Sequence, residues 1–293
     1  MMIKTAVFPV AGLGSRFLPA TKAIPKEMLA VIDKPLIQYA VEEAKAAGIE
    51  KFIFITSQGK EAIEDHFDSH SALEAMLQAR GKVDDLEKIR SIRIPEGQAL
   101  FIRQHEPLGL GHAVWCARHY IQEEAFALLL ADDLIQSAQP CLKQMVNAYS
   151  PADGNMVAVI DVPKSEVNRY GVLDISRQTG SKVTARAVVE KPDPAKAPSS
   201  TAIIGRYILR NQIFEPLSFK KQGAGGEIQL TDALQALLAA NTPLTGFRFQ
   251  GDRYDCGTKV GWLQANLALA ASDPELRPYL ESVMHTLNQR LTA

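Results

Sequence analysis

The segment Ile3-Lys4-Thr5-Ala6-Val7-Phe8-Pro9-Val10, followed by Ala11-Gly12-Leu13-Gly14-Ser15-Arg16, decides the fold. Its first eight residues read as a buried strand that stops at the glycines. The chain then stays irregular through Pro19 and Pro25 instead of entering a helix. Outward from this start, a helix is expected near Pro35, with Ile37, Ala40, Val41 and Ala44 at helical spacing and Gly48 as its stop. Lys51-Phe52-Ile53-Phe54-Ile55-Thr56 reads as a second strand, 60–67 as a helix and 69–93 as an amphipathic helical insertion. The alternation resumes with a strand at 99–103, a helix at 111–120, a buried strand at 126–130, a helix at 140–148 and a strand at 156–162. Short apolar strands alternating with helices predict an α/β fold, its mostly parallel central sheet flanked by helices. Ligands of such sheets bind beyond the C-terminal ends of the strands.

After Asp161 the pattern changes, and antiparallel additions are expected. Residues 171–176 and 182–190 form a hairpin-like pair around Gln178-Thr179-Gly180, the second member alternating Val183, Ala185, Ala187 and Val189 with mostly polar neighbours. A strand at 201–209, a helix from Thr231 carrying Leu234, Leu237 and Leu238, and a helix over 258–270 complete the pattern. Residues 193–200, rich in Pro, Ala and Ser, read as a surface loop. No internal repeat interrupts this order, so one domain over 1–293 is expected.

Composition narrows the class. With 46% apolar and 22% charged residues the chain has a globular, not a disordered, make-up. Thirty-two basic against 33 acidic residues leave a net charge of −1, which argues against non-specific nucleic-acid binding. The longest wholly apolar run, Ala125 to Ala131, is far short of the ~20 residues that span a bilayer, so no membrane partner is expected. The N-terminal stretch has no secretory pattern, and Cys116, Cys141 and Cys256 fit neither a disulfide framework nor a zinc site. A cytoplasmic location is expected.

Three constellations carry chemistry. Gly12-x-Gly14-x-Arg16 directly after the first strand lets backbone N–H groups approach a phosphate, and Arg16 and Lys26 add cations on the same irregular segment. A dinucleotide fingerprint needs Gly where Phe17 stands, and a P-loop needs Gly-Lys-Ser/Thr, so neither is met. On the residues alone, the glycines read equally as a tight turn. The buried run Leu128-Leu129-Leu130 ends at Ala131-Asp132-Asp133, delivering a carboxylate to the ligand edge, where Mg²⁺ or a plain turn would each account for it. Asp255 in Tyr254-Asp255-Cys256-Gly257-Thr258 is a second candidate ligand. In Val188-Val189-Glu190-Lys191-Pro192, the proline is expected to hold Lys191 extended, sending the Glu190 and Lys191 side chains in different directions, while on the residues alone an exposed ion pair on an edge strand accounts for them equally.

AGLGSRFLPATKAIPKEML, LADD, NRYGVLD, VEKP, GGEIQLTDAL and YDCGTKVGW occur in the order found in bacterial UTP–glucose-1-phosphate uridylyltransferases, the UDP-glucose pyrophosphorylases of the sugar-phosphate nucleotidyltransferase family. The chain resembles that family over nearly its whole length. The resemblance implies a Rossmann-like nucleotidyltransferase fold, dependence on Mg²⁺, UTP and glucose 1-phosphate as substrates, and a homo-oligomer, tetramer or dimer. It divides the domain into a nucleotide-binding portion (1–162), a sugar-binding portion (163–270) and a C-terminal helical segment (271–293).

Position by position, the resemblance implies that Ala11, Gly12 and Gly14 form the nucleotide loop, with Arg16 and Lys26 on the UTP phosphates. Glu27, Gln104 and Gly109 resemble the uracil-reading positions, Gly171, Glu190 and Glu227 the glucose contacts, and Lys191 the sugar-phosphate contact. Asp132 and Asp255 match the Mg²⁺ carboxylates, although many members have Pro-Asp-Val where this chain has Ala131-Asp132-Asp133. The expected reaction is in-line displacement of pyrophosphate without a covalent intermediate. A thymidylyltransferase on the same sugar phosphate and a non-catalytic regulatory paralogue of the same fold are the alternatives. His112 is expected to be a helix-surface or packing residue.

Overall fold

The computed structural model describes residues 2–291. Strand β1 (Thr5–Pro9) leads into the glycine loop, and a small ribbon of β2 (Ala30–Val31) and β3 (Lys34–Pro35) precedes helix α1 (Leu36–Ala47), which Gly48 ends in a left-handed conformation. Next come β4 (Lys51–Thr56), α2 (Glu61–Phe67), α3 (Ser71–Ala79), α4 (Val83–Ile92), β5 (Ala99–Arg103), α5 (Leu110–Cys116) and β6 (Ala125–Leu129). After the turn at Asp132 run β7 (Asp133–Gln136), α6 (Cys141–Ala148), β8 (Asn155–Asp161), β9 (Gly171–Thr179), β10 (Lys182–Glu190) and β11 (Thr201–Arg210). The last elements are α7 (Phe214–Ser218), α8 (Leu230–Ala239), β12 (Leu244–Arg248), β13 (Asp252–Asp255), α9 (Lys259–Ser272) and α10 (Arg277–Leu291).

Among the described residues, one nine-stranded sheet has the order β5-β4-β1-β6-β11-β8-β12-β10-β9. The α/β architecture agrees with the sequence, while the strand directions are more evenly mixed than "mostly parallel". β5, β4, β1 and β6 are parallel neighbours, as are β8 and β12. β11 runs antiparallel between β6 and β8, and the β9–β10 hairpin joins β12 antiparallel. Alternation along the central strands serves two cores. Phe8, Phe52 and Phe54 face α1 and α6, and Val7, Ile53, Ile55 and Leu128 face α5 and α8.

The loops after β1, β5 and β6 therefore emerge on one edge of the sheet, which is what places the site. The insertion expected over 69–93 is two helices, broken at Arg80-Gly81-Lys82, where Gly81 has φ +68°. In β10 the expected alternation fails beyond Ala185. A bulge between Ala185 and Ala187 shifts the phase, so Val188 enters the core and Val189 faces out.

Candidate active site

Two adjoining cavities open on this edge, of about 510 and 470 Å³. The first is lined by Ala11, Gly12, Gly14, Lys26, Gln104 and Gly109, together with Asp132 and Glu227. The second is lined by Arg16, Asp132, Gly171, Glu190, Lys191, Glu227 and Asp255. Asp132 and Glu227 belong to both, so the sequence-predicted residues converge on one continuous groove with Asp132 at its centre.

Glu27 is the exception. It is buried, and its Oε2 accepts a hydrogen bond from Lys60 Nζ at 2.7 Å, while Oε1 has no hydrogen-bond partner among the described residues. Burial pushes its carboxyl pKa up against the pull of Lys26 and Lys60. Its side chain is spent beneath the loop and lines neither cavity, contrary to a side-chain role in reading a base.

The two carboxylates of the acidic turn are placed differently. Asp133 is buried, accepting hydrogen bonds from Gly205 N at 2.6 Å and Arg253 Nε at 2.7 Å, with Arg253 Nη2 on the same oxygen as Nε. Burial works against the Arg253 charge, but Asp133, Asp255 and Tyr170 together hold the guanidinium's pKa up, while at Asp133 burial prevails over Arg253 and raises the carboxyl pKa. Asp132 instead faces the groove and pairs with Lys26 Nζ at 2.6 Å. Burial disfavours both of these charges, yet their mutual attraction prevails, lowering the Asp132 pKa and raising that of Lys26.

Asp255 reaches the same place because β13 pairs antiparallel with β7, Asp255 opposite Asp133, and because Cys256 N donates to the Asp132 carbonyl at 2.8 Å. A Cβ on Gly257 would lie 2.9 Å from Asp132 Oδ2 and 3.0 Å from Asp255 Oδ1. Two carboxylates thus face one small space that glycine alone leaves open. Two anionic oxygens beside a groove with room for phosphate form a donor set suited to a divalent cation.

The Glu190–Lys191 expectation needs correction. Lys191 is left-handed, φ +44°, not extended, with its N–H bonded to the Tyr170 carbonyl at 2.9 Å. This tertiary bond overrides the local preference before proline, and Lys191 Nζ lies 3.5 Å from Glu190 Oε1, not pointing away from it. Thr231 Oγ1 donates to Glu190 Oε2 at 2.6 Å, so the carboxylate is held from both sides. At Gly109, φ is +100° and a Cβ would come within 2.7 Å of Glu227 Cβ, so only glycine fits between the loop and the Glu227–Ile228 segment that leads into α8.

Sequence reasoning missed several groove residues. Arg169 Nη2 donates to Asp255 Oδ2 at 2.8 Å, Arg253 bridges Asp133 and the Tyr170 hydroxyl (3.1 Å), and Thr231 orients Glu190. Isolated arginines carry no periodic signal. Their only cues were the place of Arg169 inside NRYGVLD and of Arg253 just before YDCG.

A sequence model described as nucleotidyl transferase matches residues 6–272. A UTP–glucose-1-phosphate uridylyltransferase of Staphylococcus haemolyticus is 46% identical over 278 residues, covering 95% of this chain and 96% of that protein. The crystal structure of a UDP-glucose pyrophosphorylase complexed with UDP-glucose superposes with a TM-score of 0.83 at 42% identity, covering 93% of this chain and 100% of that one. A UTP-bound relative from Acinetobacter baumannii gives a TM-score of 0.88 at 40% identity, covering 97% of this chain and 99% of that one.

Proposed function

Because the chain belongs to the nucleotidyl transferase family, among its UTP–glucose-1-phosphate uridylyltransferases, we propose that its groove joins UTP to glucose 1-phosphate, giving UDP-glucose and pyrophosphate. The observation that carries this reading is the meeting of two cavities at Asp132, with Arg16, Lys26 and Lys191 around the junction. A phosphomonoester's second pKa is about 6, so the attacking sugar-phosphate oxygen is already ionised at pH 7 and needs no general base. The difficulty is bringing two anions together, and the residues answer it by charge and position.

Ala11, Gly12 and Gly14 would let the loop backbone approach the triphosphate, while Arg16 and Lys26 neutralise it. Gln104 and Gly109 would hold the base, and Glu27 would support the loop from beneath. Gly171, Glu190 and Glu227 would hold the glucose hydroxyls, with Lys191 on the sugar phosphate. These positions align the attacking oxygen with the α-phosphorus, opposite the departing pyrophosphate. Mg²⁺, held by Asp132 and Asp255, would supply charge neutralisation of the phosphate oxygens. Lys26 and Arg169 pair with those carboxylates and hold them in place.

The proposal takes the chain as one domain, with 1–162 serving the nucleotide, 163–270 the sugar and 271–293 a helical end, of which residues 292–293 lie outside the described residues. It also takes the protein as a cytoplasmic homo-oligomer, dimer or tetramer. Support for assembly comes from the exposed apolar side chains of Val260, Leu263 and Leu267 on α9 and Tyr279, Val283 and Leu287 on α10. Formation of UDP-glucose from UTP and glucose 1-phosphate, with and without chelation of divalent cations, tests the reading. Failure to form product with Mg²⁺ present would refute it.

A further inference from the structure

The buried Gln104 amide nitrogen lies 2.9 Å from His112 Nδ1 and 3.3 Å from the Gly109 carbonyl oxygen. A carbonyl oxygen only accepts, so the amide atom facing it is the nitrogen, and Nδ1 of His112 then accepts the second N–H. This puts the imidazole proton on Nε2 and makes the ring neutral. Burial first, and the Lys220 ammonium next, hold His112 below the ordinary imidazole pKa, while the Glu106 backbone offers the ring a second hydrogen-bond partner. The ring also stacks on Trp115, centroids 5.9 Å apart, and Arg118 and Lys220 cover that indole. His112 is therefore held in one orientation by groups on α5 and the loop before it.

With the amide nitrogen committed to His112 and Gly109, the Gln104 oxygen is the atom left to face the cavity that Gln104 lines. We infer that His112 is a positioning residue for base selection: it fixes the Gln104 amide so that Oε1 presents an acceptor to the N3–H of a uracil-type base. The inference rests on the reading of this cavity as the nucleotide site. Uracil carries a hydrogen on N3, whereas cytosine N3 is itself an acceptor, so a fixed oxygen attracts one base and repels the other. An unrestrained amide could flip and serve both. Thymine shares the N3–H, so this device separates UTP from CTP and not from dTTP.

The test is the ratio of kcat/KM for UTP to that for CTP in wild type, Gln104→Ala, His112→Phe, His112→Leu and His112→Asn. Phe keeps the ring stack and Leu the apolar volume, and neither offers an acceptor. Asn restores an acceptor where Nδ1 stands. The ratio should fall at least tenfold in Gln104→Ala, His112→Phe and His112→Leu, and return to within threefold of wild type in His112→Asn, with KM for glucose 1-phosphate unchanged throughout. A lost ratio in Gln104→Ala with a retained one in both His112→Phe and His112→Leu would overturn the role of His112 while leaving the nucleotide site standing. An unchanged ratio in Gln104→Ala would remove the base-site reading of the cavity itself. No recovery in His112→Asn would also contradict the inference.

Discussion

Lys26 Nζ stands 2.6 Å from Asp132 Oδ2, so an ion pair ties the segment after the glycine loop to the end of β6 across the junction of the two cavities. The cation proposed for the UTP phosphates and the carboxylate proposed for a metal ion hold one another where both would serve.

Asp132 and Asp133, adjacent in sequence, should fail in different observables. Asp132→Asn should lower turnover by about 10²-fold or more at saturating Mg²⁺ with little change in Tm, since an amide is a poor cation ligand. Asp133→Asn should instead destabilise the fold by about 3–5 kcal/mol, because it strips the largely buried Arg253 guanidinium of its counter-ion. Denaturant unfolding beside steady-state kinetics reads both. Turnover within threefold of wild type in Asp132→Asn would assign the role to the wrong carboxylate.

Arg16 lines the second cavity and follows the glycine loop. Arg16→Ala should weaken UTP, and pyrophosphate in the reverse reaction, by about 1.5–3 kcal/mol while sparing glucose 1-phosphate. Calorimetric titration of each substrate checks this. A change confined to the sugar phosphate would put Arg16 at the other end of the groove.

Lys191→Ala should reduce turnover sharply with both glucose 1-phosphate and galactose 1-phosphate. Glu190→Gln should blur the choice between those epimers, because an amide donates as readily as it accepts and Thr231 already occupies one oxygen of the carboxylate. The kcat/KM ratio for the two sugars in each variant decides. A ratio unchanged in Glu190→Gln but altered in Lys191→Ala would exchange the two roles.

Arg206, buried within β11, donates to Glu43 on α1 and to the carbonyls of Leu130 and Asp133, clamping the turn that carries Asp132. Arg206→Met should cost about 3–5 kcal/mol by stranding the Glu43 carboxylate, and adding Glu43→Leu should recover much of that loss. Equilibrium unfolding of the single and double variants measures it, and equal losses in both would deny the coupling.

The strands with apolar runs (β1, β4 and β6) and the loops that follow them were legible because fully buried strands write themselves as continuous Val, Ile, Phe and Leu. β12, paired between β8 and β10, was not. Its Thr245-Gly246 breaks the apolar run, yet Gly246 is required there, since a Cβ would come within 2.5 Å of Val183 Cγ2 and 2.8 Å of Leu173 Cδ1. That constraint comes from residues 63 and 73 positions earlier and leaves no local pattern. β7 and β13 were missed for a related reason, because each is short and stabilised by the other. Most candidate site residues were legible from their segments, but what each side chain touches was not. Glu27 turned inward to Lys60, and Lys191 adopted a left-handed backbone through a bond to Tyr170.

The central claim is tested most directly by pyrophosphate release from wild-type protein and Mg²⁺ with UTP, dTTP, CTP and ATP, each paired with glucose 1-phosphate. The highest kcat/KM should belong to UTP, with UDP-glucose formed in equal amount to pyrophosphate. Preference for dTTP would make the chain a thymidylyltransferase on the same scaffold, and no pyrophosphate from any nucleotide would make it a binding protein that has kept the groove without the reaction.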